Sequence, residues 1–169
     1  MSLRVAIQMD PVESIDIRGD TSFALGLEAQ NRGHELHYYL PDSLTLADGR
    51  PKAVCRTLAL CDKVGDHFTA GEPVRRDLSA FDVILMRQDP PFDMAYITAT
   101  HLLEMLPPTT MVVNNPAEVR NAPEKLLVTL FADLMPPTLI SRDPDAIRAF
   151  RDRHTGITVK PPPGNAGAG

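Results

Sequence analysis

Arg87 and Asp89 are the best candidates for chemistry in this 169-residue sequence, because they follow an apolar run and precede two prolines. A guanidinium can bind a ligand carboxylate through two hydrogen bonds, and a carboxylate can hold a ligand ammonium. Pro90 and Pro91 would fix the loop and present both groups rigidly. The alternative is an internal Arg–Asp pair that stabilises a proline-rich turn, and position alone does not decide between the two.

A second candidate lies near the end of the chain, where Lys160 leads into a segment of proline, glycine and alanine that includes Gly164 and Gly167. Small residues let backbone N–H groups approach an anion, so one interpretation is a cradle for phosphate. The segment lacks the Gly-Lys-[Ser/Thr] of a Walker loop and the G-x-G-x-x-G spacing. A flexible end or linker is therefore the alternative.

Lys125 falls in the first turn of a predicted helix, where a positive charge is mildly unfavourable. That cost hints at a role, and an ordinary solvated lysine is the alternative. The histidines show no metal-ligand spacing and are predicted to be ordinary surface or packed residues; they are His34, His37, His67, His101 and His154.

The elements that must position these residues begin with a β-α-β unit. A β-favouring run over residues 3–9 ends at Asp10-Pro11. Asp20-Thr21-Ser22 offers caps for a helix, which the spacing of apolar residues predicts over 21–32. A second strand is predicted over 35–40. The two strands are therefore expected to be parallel, with a right-handed crossover.

The next stretch predicts an insertion and a return to the sheet. Asp48-Gly49 is typical of a hairpin turn between residues 44–47 and 53–60, and residues 61–80 show no clear period. The apolar run 81–86 predicts a strand covered on both faces. A helix capped by Asp93 and a short strand follow it.

These elements predict an open, mostly parallel α/β sheet of the doubly wound, Rossmann-like type with a hairpin insertion, over residues 1–121. Ligands of such sheets bind beyond the carboxyl ends of the strands, where Asp10, Arg87 and Asp89 stand. A second unit is predicted over 122–169. It contains a helix from Pro123, a helix from Asp143, and strands over 138–141 and 157–160.

Composition excludes several classes of protein. The net charge of −5 and the pI of about 5.5 argue against nucleic acid or an anionic membrane surface as the main partner. No secretory signal is expected from the start of the sequence, and no apolar stretch approaches the ~18–20 residues that span a bilayer. Cys55 and Cys61 are predicted to be reduced, which favours a cytoplasmic location.

The ordered motifs resemble prokaryotic glutathione synthetase, an ATP-grasp ligase family. Arg-x-Asp-Pro-Pro-Phe-Asp at residues 87–93 is the most specific of them. The others are Met9-Asp10-Pro11, Ser22-Phe23-Ala24, Arg32-Gly33-His34-Glu35-Leu36, Asn115-Pro116, Arg120-Asn121, Glu124-Lys125-Leu126 and Val159-Lys160-Pro161.

The resemblance implies ATP-dependent joining of γ-glutamylcysteine to glycine through an acyl phosphate, with Mg²⁺ or Mn²⁺, in a homo-oligomeric enzyme. It implies a pre-ATP-grasp domain over residues 1–121 that binds the peptide substrate, followed by the start of an ATP-grasp domain over 122–169. Nucleotide-binding roles are implied for Lys125 and Lys160 and, in the glycine-rich loop, for Gly164 and Gly167. Substrate-binding roles are implied for Asp10, Ser22, Arg87 and Asp89.

The sequence also departs from the family pattern after Lys160-Pro161. The aspartate of the glycine-rich loop is missing, and no metal ligands are expected at positions that the family would support. We therefore expect the 169 residues to be the front portion of such a ligase and to show no ligation alone. The alternatives are a non-catalytic α/β module that binds peptides or a protein partner, or a different ATP-grasp carboxylate-amine ligase.

Overall fold

A computed structural model describes residues 1–160 of the chain. It divides the chain into two compact units, Met1–Asn121 and Ala122–Gly169, and each is described by itself. No helix in the described range is both long and apolar enough to cross a membrane.

The first unit contains eight strands and three helices. The strands are β1 Arg4–Gln8, β2 Glu35–Tyr39, β3 Thr45–Ala47, β4 Arg50–Leu60, β5 Phe68–Ala70, β6 Val74–Asp77, β7 Val83–Met86 and β8 Met111–Val113. The helices are α1 Thr21–Asn31, α2 Met94–Leu103 and α3 Pro116–Asn121, and single 3-10 turns lie at Val12–Ser14, Pro41–Ser43 and Leu78–Ala80.

The sheet is mixed, with the order β3-β4-β2-β1-β7-β8, and β5 and β6 also pair with β4. β1 pairs in parallel with β2 and β7, and β7 pairs in parallel with β8. The pairings of β4 with β2, β3, β5 and β6 are all antiparallel. The α/β class is confirmed, whereas a mostly parallel sheet is not, because the hairpin insertion contributes antiparallel pairings throughout.

The predicted hairpin turn is present between β3 and β4. Asp48 and Gly49 have φ values of 55° and 72°, the left-handed pair that a two-residue hairpin turn of type I′ needs. Asp is among the few non-glycine residues that tolerate this region, and glycine adopts it without steric cost.

The segment predicted to be irregular, residues 61–80, holds β5 and β6. β5 has only three residues, and β6 reads Val-Arg-Arg-Asp with all four side chains at least partly exposed. Their backbones are held by the long strand β4, through pairs such as Leu60 with Phe68 and Val54 with Arg75. The strands therefore depend on a partner strand rather than on a local pattern.

The core of the first unit lies on both faces of the sheet. On one face Val5, Ile7 and Leu36 pack with Phe23 of α1. On the other, Ala6, Ile84 and Met86 pack with Leu103 of α2 and with other residues of that cluster. This two-sided burial explains the near-continuous apolar sequence of β7, as predicted for a strand covered by helices.

Aspartates begin the three longest helices, as predicted. The side chain of Asp20 accepts a hydrogen bond from the backbone N–H of Phe23 at 2.6 Å, and Asp93 accepts one from Tyr96 at 2.9 Å. Asp143 caps the last helix in the same way. Each cap satisfies an N–H group that has no partner within its helix.

The second unit contains α4 Glu124–Leu127, a kinked 3-10 segment Val128–Leu134 and α5 Pro144–Asp152. The strands predicted over residues 138–141 and 157–160 are wrong, because both segments are irregular. A strand needs a neighbouring strand to pair its backbone groups, and none lies within residues 122–160.

Candidate functional site

The carboxyl ends of β1 and β7 bring two distant loops together. Gln8, the last residue of β1, lies beside Met86, the last residue of β7. The backbone N–H of Arg87 donates to the carbonyl of Gln8 at 2.8 Å, which continues the ladder by one residue. The loops that start at Asp10 and at Arg87 therefore leave the same edge of the sheet side by side.

A cavity of about 200 Å³ lies at this edge. The four residues predicted to bind substrate, Asp10, Ser22, Arg87 and Asp89, all line it. The complete lining is Met9, Asp10, Ser14, Ile15, Asp16, Asp20, Ser22, Arg87 and Asp89.

Arg87 is held by the start of α1. Its Nε donates to the hydroxyl of Ser22 at 3.3 Å, and its Nη2 donates to the hydroxyl of Thr21. Among the described carboxylates, which leave out Glu124, none lies within 4.0 Å of the Arg87 guanidinium. The internal Arg87–Asp89 ion pair, one of the two interpretations of this loop, is therefore not formed. The guanidinium keeps donors for a ligand.

The cavity is rich in carboxylates. Burial raises the pKa of the Asp10 carboxyl above its usual value, and the charges of Asp89 and Asp20 raise it further, against a lowering hydrogen bond from the backbone of Asp89. Repulsion of this kind disfavours the ionised form of Asp10. A ligand cation between these carboxylates would relieve it, so the cavity favours a ligand that carries an ammonium as well as a carboxylate.

One wall of the cavity is formed by residues 11–20, and the sequence did not predict it. Ser14, Ile15, Asp16 and Asp20 line the cavity from this irregular segment. Asp16 is held by Arg18 at 2.8 Å, and that guanidinium lowers the pKa of Asp16 to about 2. The capping signal at Asp20 was visible in the sequence, but nothing local showed that the segment before it folds over the strand ends.

Two of the residues predicted to bind nucleotide, Lys125 and Lys160, lie in the described part of the second unit. Lys125 is partly exposed in the one-turn helix α4, and Lys160 is exposed in an irregular segment. Gly164 and Gly167 lie outside the described residues. The second unit also has an apolar cavity of about 490 Å³, and neither lysine lines it; its residues are Thr129, Ala132, Met135, Pro136, Pro137, Thr138 and Ile140.

The part of the chain that the structure describes contains no group of three or more His, Cys, Asp or Glu side chains arranged to hold a metal ion. The described carboxylates of the first cavity are therefore not arranged as ligands of a metal ion. Their chemistry is that of hydrogen-bond acceptors spread around the space that a ligand would fill.

Two family models match the chain along its length. The model described as prokaryotic glutathione synthetase, N-terminal domain, matches residues 3–120. The model described as prokaryotic glutathione synthetase, ATP-grasp domain, matches residues 124–169.

Curated relatives match the whole chain as well. A glutathione synthetase of Rhodopseudomonas palustris is 59% identical over 168 residues, which cover 99% of this chain and 54% of the relative. One of Brucella melitensis is 57% identical over 169 residues, covering 100% of this chain and 54% of the relative. One of Escherichia coli O157:H7 is 41% identical over 167 residues, covering 98% and 53%. The chain thus spans about half the length of the curated relatives it matches.

Proposed function

The chain belongs to the prokaryotic glutathione synthetase family, and we propose that it serves the ligation of γ-glutamylcysteine to glycine with ATP. In this proposal residues 1–121 bind the peptide substrate and residues 122–169 begin the ATP-grasp domain. The cysteinyl carboxylate is phosphorylated by ATP, and the glycine amine then attacks the acyl phosphate. The relatives' name and the family match support the reaction, and the first cavity supports the choice of substrate.

The observation that carries the proposal is the cavity at the ends of β1 and β7. It gathers several carboxylates around a space of about 200 Å³, together with one guanidinium that forms no ion pair with any described carboxylate, Glu124 aside. γ-Glutamylcysteine is a small zwitterion with two carboxylates and one ammonium. Its charges therefore complement those of the cavity.

We assign the roles within the cavity from the charge of each group. Arg87 binds a substrate carboxylate, because the hydroxyls of Thr21 and Ser22 orient it and leave donors free. Asp10 and Asp89 receive the substrate ammonium, which offsets the burial and the neighbouring negative charges that together raise the pKa of Asp10. Ser22, only 5% exposed, fixes the guanidinium rather than reaching far into solvent.

The nucleotide part of the proposal rests on the second unit. Lys125 and Lys160 are proposed to contact the phosphates of ATP, with Gly164 and Gly167 in the loop that covers them. ATP would supply the phosphoryl group that activates the carboxylate, and Mg²⁺ or Mn²⁺ would offset the charge on that group. Residues 1–160 do not fit a site for the metal, so we assign none of them to it.

The proposal also covers the type of sheet, the location of the protein and its assembly. The parallel strands β2, β1, β7 and β8 form the Rossmann-like, pre-ATP-grasp core to which the antiparallel insertion is added. The protein acts in the cytoplasm. It assembles as a homo-oligomer, as the resemblance to the family implies.

The proposal is tested by calorimetric titration of the 169-residue chain with γ-glutamylcysteine, alongside the variants Arg87→Ala and Arg32→Ala. Arg32 is an exposed control in an i,i+4 ion pair with Glu28 and lies outside the cavity. We expect Arg87→Ala to weaken binding roughly 10- to 100-fold, the usual loss for a charged hydrogen-bonding partner, and Arg32→Ala to leave it unchanged.

The α-linked isomer of the peptide is the matched ligand control, because it has the same charges in a different arrangement. Equal affinity for the two isomers would favour a general anion site over the ligase proposal. No heat from the unaltered chain at millimolar γ-glutamylcysteine would contradict the assignment of the cavity.

A further inference from the structure

The wall of the cavity formed by residues 11–20 is tethered by a histidine from a distant part of the chain. The Nε2 of His67 lies 2.7 Å from the backbone carbonyl of Val12, 55 positions away in sequence. Val12 is completely buried and His67 is only 8% exposed. A hydrogen bond shielded from water in this way is costly to break, because the carbonyl would be left without a partner.

This hydrogen bond is the principal polar link of the wall. Among the described residues, with the Glu124 side chain left out, it is the one hydrogen bond that joins residues 11–19 to the chain beyond residue 23. The other bonds of the segment are local, such as Ser14 N–H to the carbonyl of Pro11 and Gly19 N–H to that of Asp16. Val12 also belongs to the apolar core, and Ile15 and Ile17 pack against it, so His67 supplies the polar part of the wall's attachment.

The ring of His67 also contacts the first turn of α1. It stands edge-on to the ring of Phe23, with centroids 6.2 Å apart and planes at 72°. Phe23 follows Ser22, which accepts a hydrogen bond from Arg87. One imidazole thus contacts both the wall and the start of the helix that orients Arg87.

His67 lies between β4 and β5 of the hairpin insertion, and both strands hold it in place. The carbonyl of His67 accepts a hydrogen bond from the backbone N–H of Cys61 at 2.9 Å, just after β4 ends. The next residue, Phe68, begins β5 and pairs with Leu60. The ring of Phe68 packs against that of His67 at a centroid distance of 5.1 Å.

We infer that His67 is a positioning residue of the substrate cavity and that the hairpin insertion serves to present it. Its Nε2–H donates to the Val12 carbonyl and holds the wall of Ser14, Ile15 and Asp16 against the strand ends. A carbonyl can only accept, so the proton must sit on Nε2. The inference rests on the proposed function for the identity of the ligand, and on the geometry alone for the positioning of the wall.

The test compares His67→Gln, His67→Asn and His67→Leu in the full 169-residue chain. The amide nitrogen of glutamine can reach the place of Nε2, whereas that of asparagine falls short by about one bond. The glutamine and asparagine variants therefore carry the same amide group and differ only in how far it extends from the backbone. His101→Leu is the control, because His101 is an exposed residue of α2 that does not line the cavity.

Two quantities are measured: hydrogen exchange at the amides of residues 13–19, and the Kd for γ-glutamylcysteine. We expect His67→Asn and His67→Leu to speed the exchange and to weaken binding, each about tenfold, the equivalent of one buried hydrogen bond. His67→Gln should remain within about twofold of the unaltered chain in both. His101→Leu should change neither quantity.

The glutamine variant distinguishes a positioning role of His67 from a general effect on stability, because its amide can restore the hydrogen bond to the Val12 carbonyl. If His67→Gln behaves like His67→Asn, or if His67→Asn leaves the exchange of residues 13–19 unchanged, the inference is overturned. If His67→Leu does not fold, the asparagine and glutamine variants still decide. If the unaltered chain binds no γ-glutamylcysteine, the proposed function fails, and the exchange measurement alone decides the role of His67.

Discussion

The two units of the chain differ in how they bury apolar side chains. Every buried apolar residue in the described range lies between Val5 and Pro116. Within residues 122–160, Glu124 aside, no side chain is buried; Leu134 is 85% and Leu130 75% exposed. Stability is therefore concentrated in the first unit, since burial of apolar surface is the main favourable term in folding.

The same difference applies to the two sets of proposed binding residues. The cavity proposed for the peptide is built on packed strands and a capped helix of the first unit, so its side chains are held in place before a ligand arrives. Lys125 and Lys160, proposed to bind nucleotide, stand on segments of the second unit with little packing of their own. The proposed peptide cavity is therefore preorganised within the first unit, and the two lysines are not preorganised within residues 122–160.

The largest expected effect comes from replacing one isoleucine in each unit by alanine and comparing the loss in free energy of unfolding. Ile84 of β7 is completely buried, whereas Ile140 is 52% exposed in the second unit. We expect Ile84→Ala to lower the free energy of unfolding by about 2–5 kcal/mol, and Ile140→Ala by less than about 0.5 kcal/mol. Urea unfolding followed by circular dichroism measures both, since the chain has no tryptophan. Equal losses in free energy of unfolding for the two variants would contradict the difference in burial between the two units.

Limited digestion with trypsin compares the units directly. Arg148 and Arg151 lie in α5, and Arg32 and Arg75 offer exposed sites in the first unit. We expect cleavage within residues 122–160 to be faster by on the order of 100-fold, which corresponds to about 2.8 kcal/mol less protection against local opening. Mass spectrometry identifies the products. A resistant core that extends to Lys160 would contradict this prediction.

A pair of glycines sharpens the comparison at the level of packing. A Cβ on Gly26 of α1 would lie 2.8 Å from Leu60 Cδ1 and 3.1 Å from Ile7 Cδ1, whereas one on Gly156 would meet nothing within 4 Å. We expect Gly26→Val to lower the free energy of unfolding by about 1–3 kcal/mol through overpacking. Gly156→Val should change it by less than about 0.5 kcal/mol. A tolerated Gly26→Val would show that the core of the first unit is looser than its contacts indicate.

The smallest effects concern two aspartates of the cavity whose pKa values move in opposite directions. The raised pKa of Asp10 means that its contribution to stability is present below pH 3.8 and lost as the pH rises through the raised value. Asp10→Asn should therefore increase the Tm at pH 7, and the gain should vanish below pH 3.8.

Asp16 is the control with the opposite sign. Because Arg18 lowers its pKa to about 2, its contribution is present above pH 3.8 and lost as the pH falls through about 2. Asp16→Asn should therefore decrease the Tm slightly at pH 7. Thermal melts from pH 3 to pH 8 measure both variants, and shifts of the same sign would show that the repulsion around Asp10 is absent.

Local sequence signals predicted the elements that depend on local physics. Asp20 and Asp93 marked helix starts because capping needs only a side chain and the next turn. Asp48-Gly49 marked the hairpin because few residues adopt positive φ. Arg87 and Asp89 could be placed at the cavity because both follow a buried strand, and strand ends of parallel sheets meet at one edge.

The features that were missed depend on contacts between distant residues. β6 exists because β4 pairs with it, and its own sequence is mostly charged. The cavity wall is held by His67, and a lone histidine carries no sign of the carbonyl that it will meet. The strand predicted over residues 157–160 has an apolar pattern but no partner in the described range, so pattern alone gave the wrong answer.

The mixed sheet also has a consequence for the order in which the chain folds. The parallel pairing of Val5 with Val83 closes a long loop, whereas β3, β4 and β6 pair within the segment from Thr45 to Asp77. Local pairings form sooner because loop closure costs more entropy as the loop lengthens. The insertion, once folded, shortens the flexible chain that the central pairing must close. We expect φ-values to be high in β3 and β4 and low in β8; the reverse pattern would show that the parallel core nucleates first.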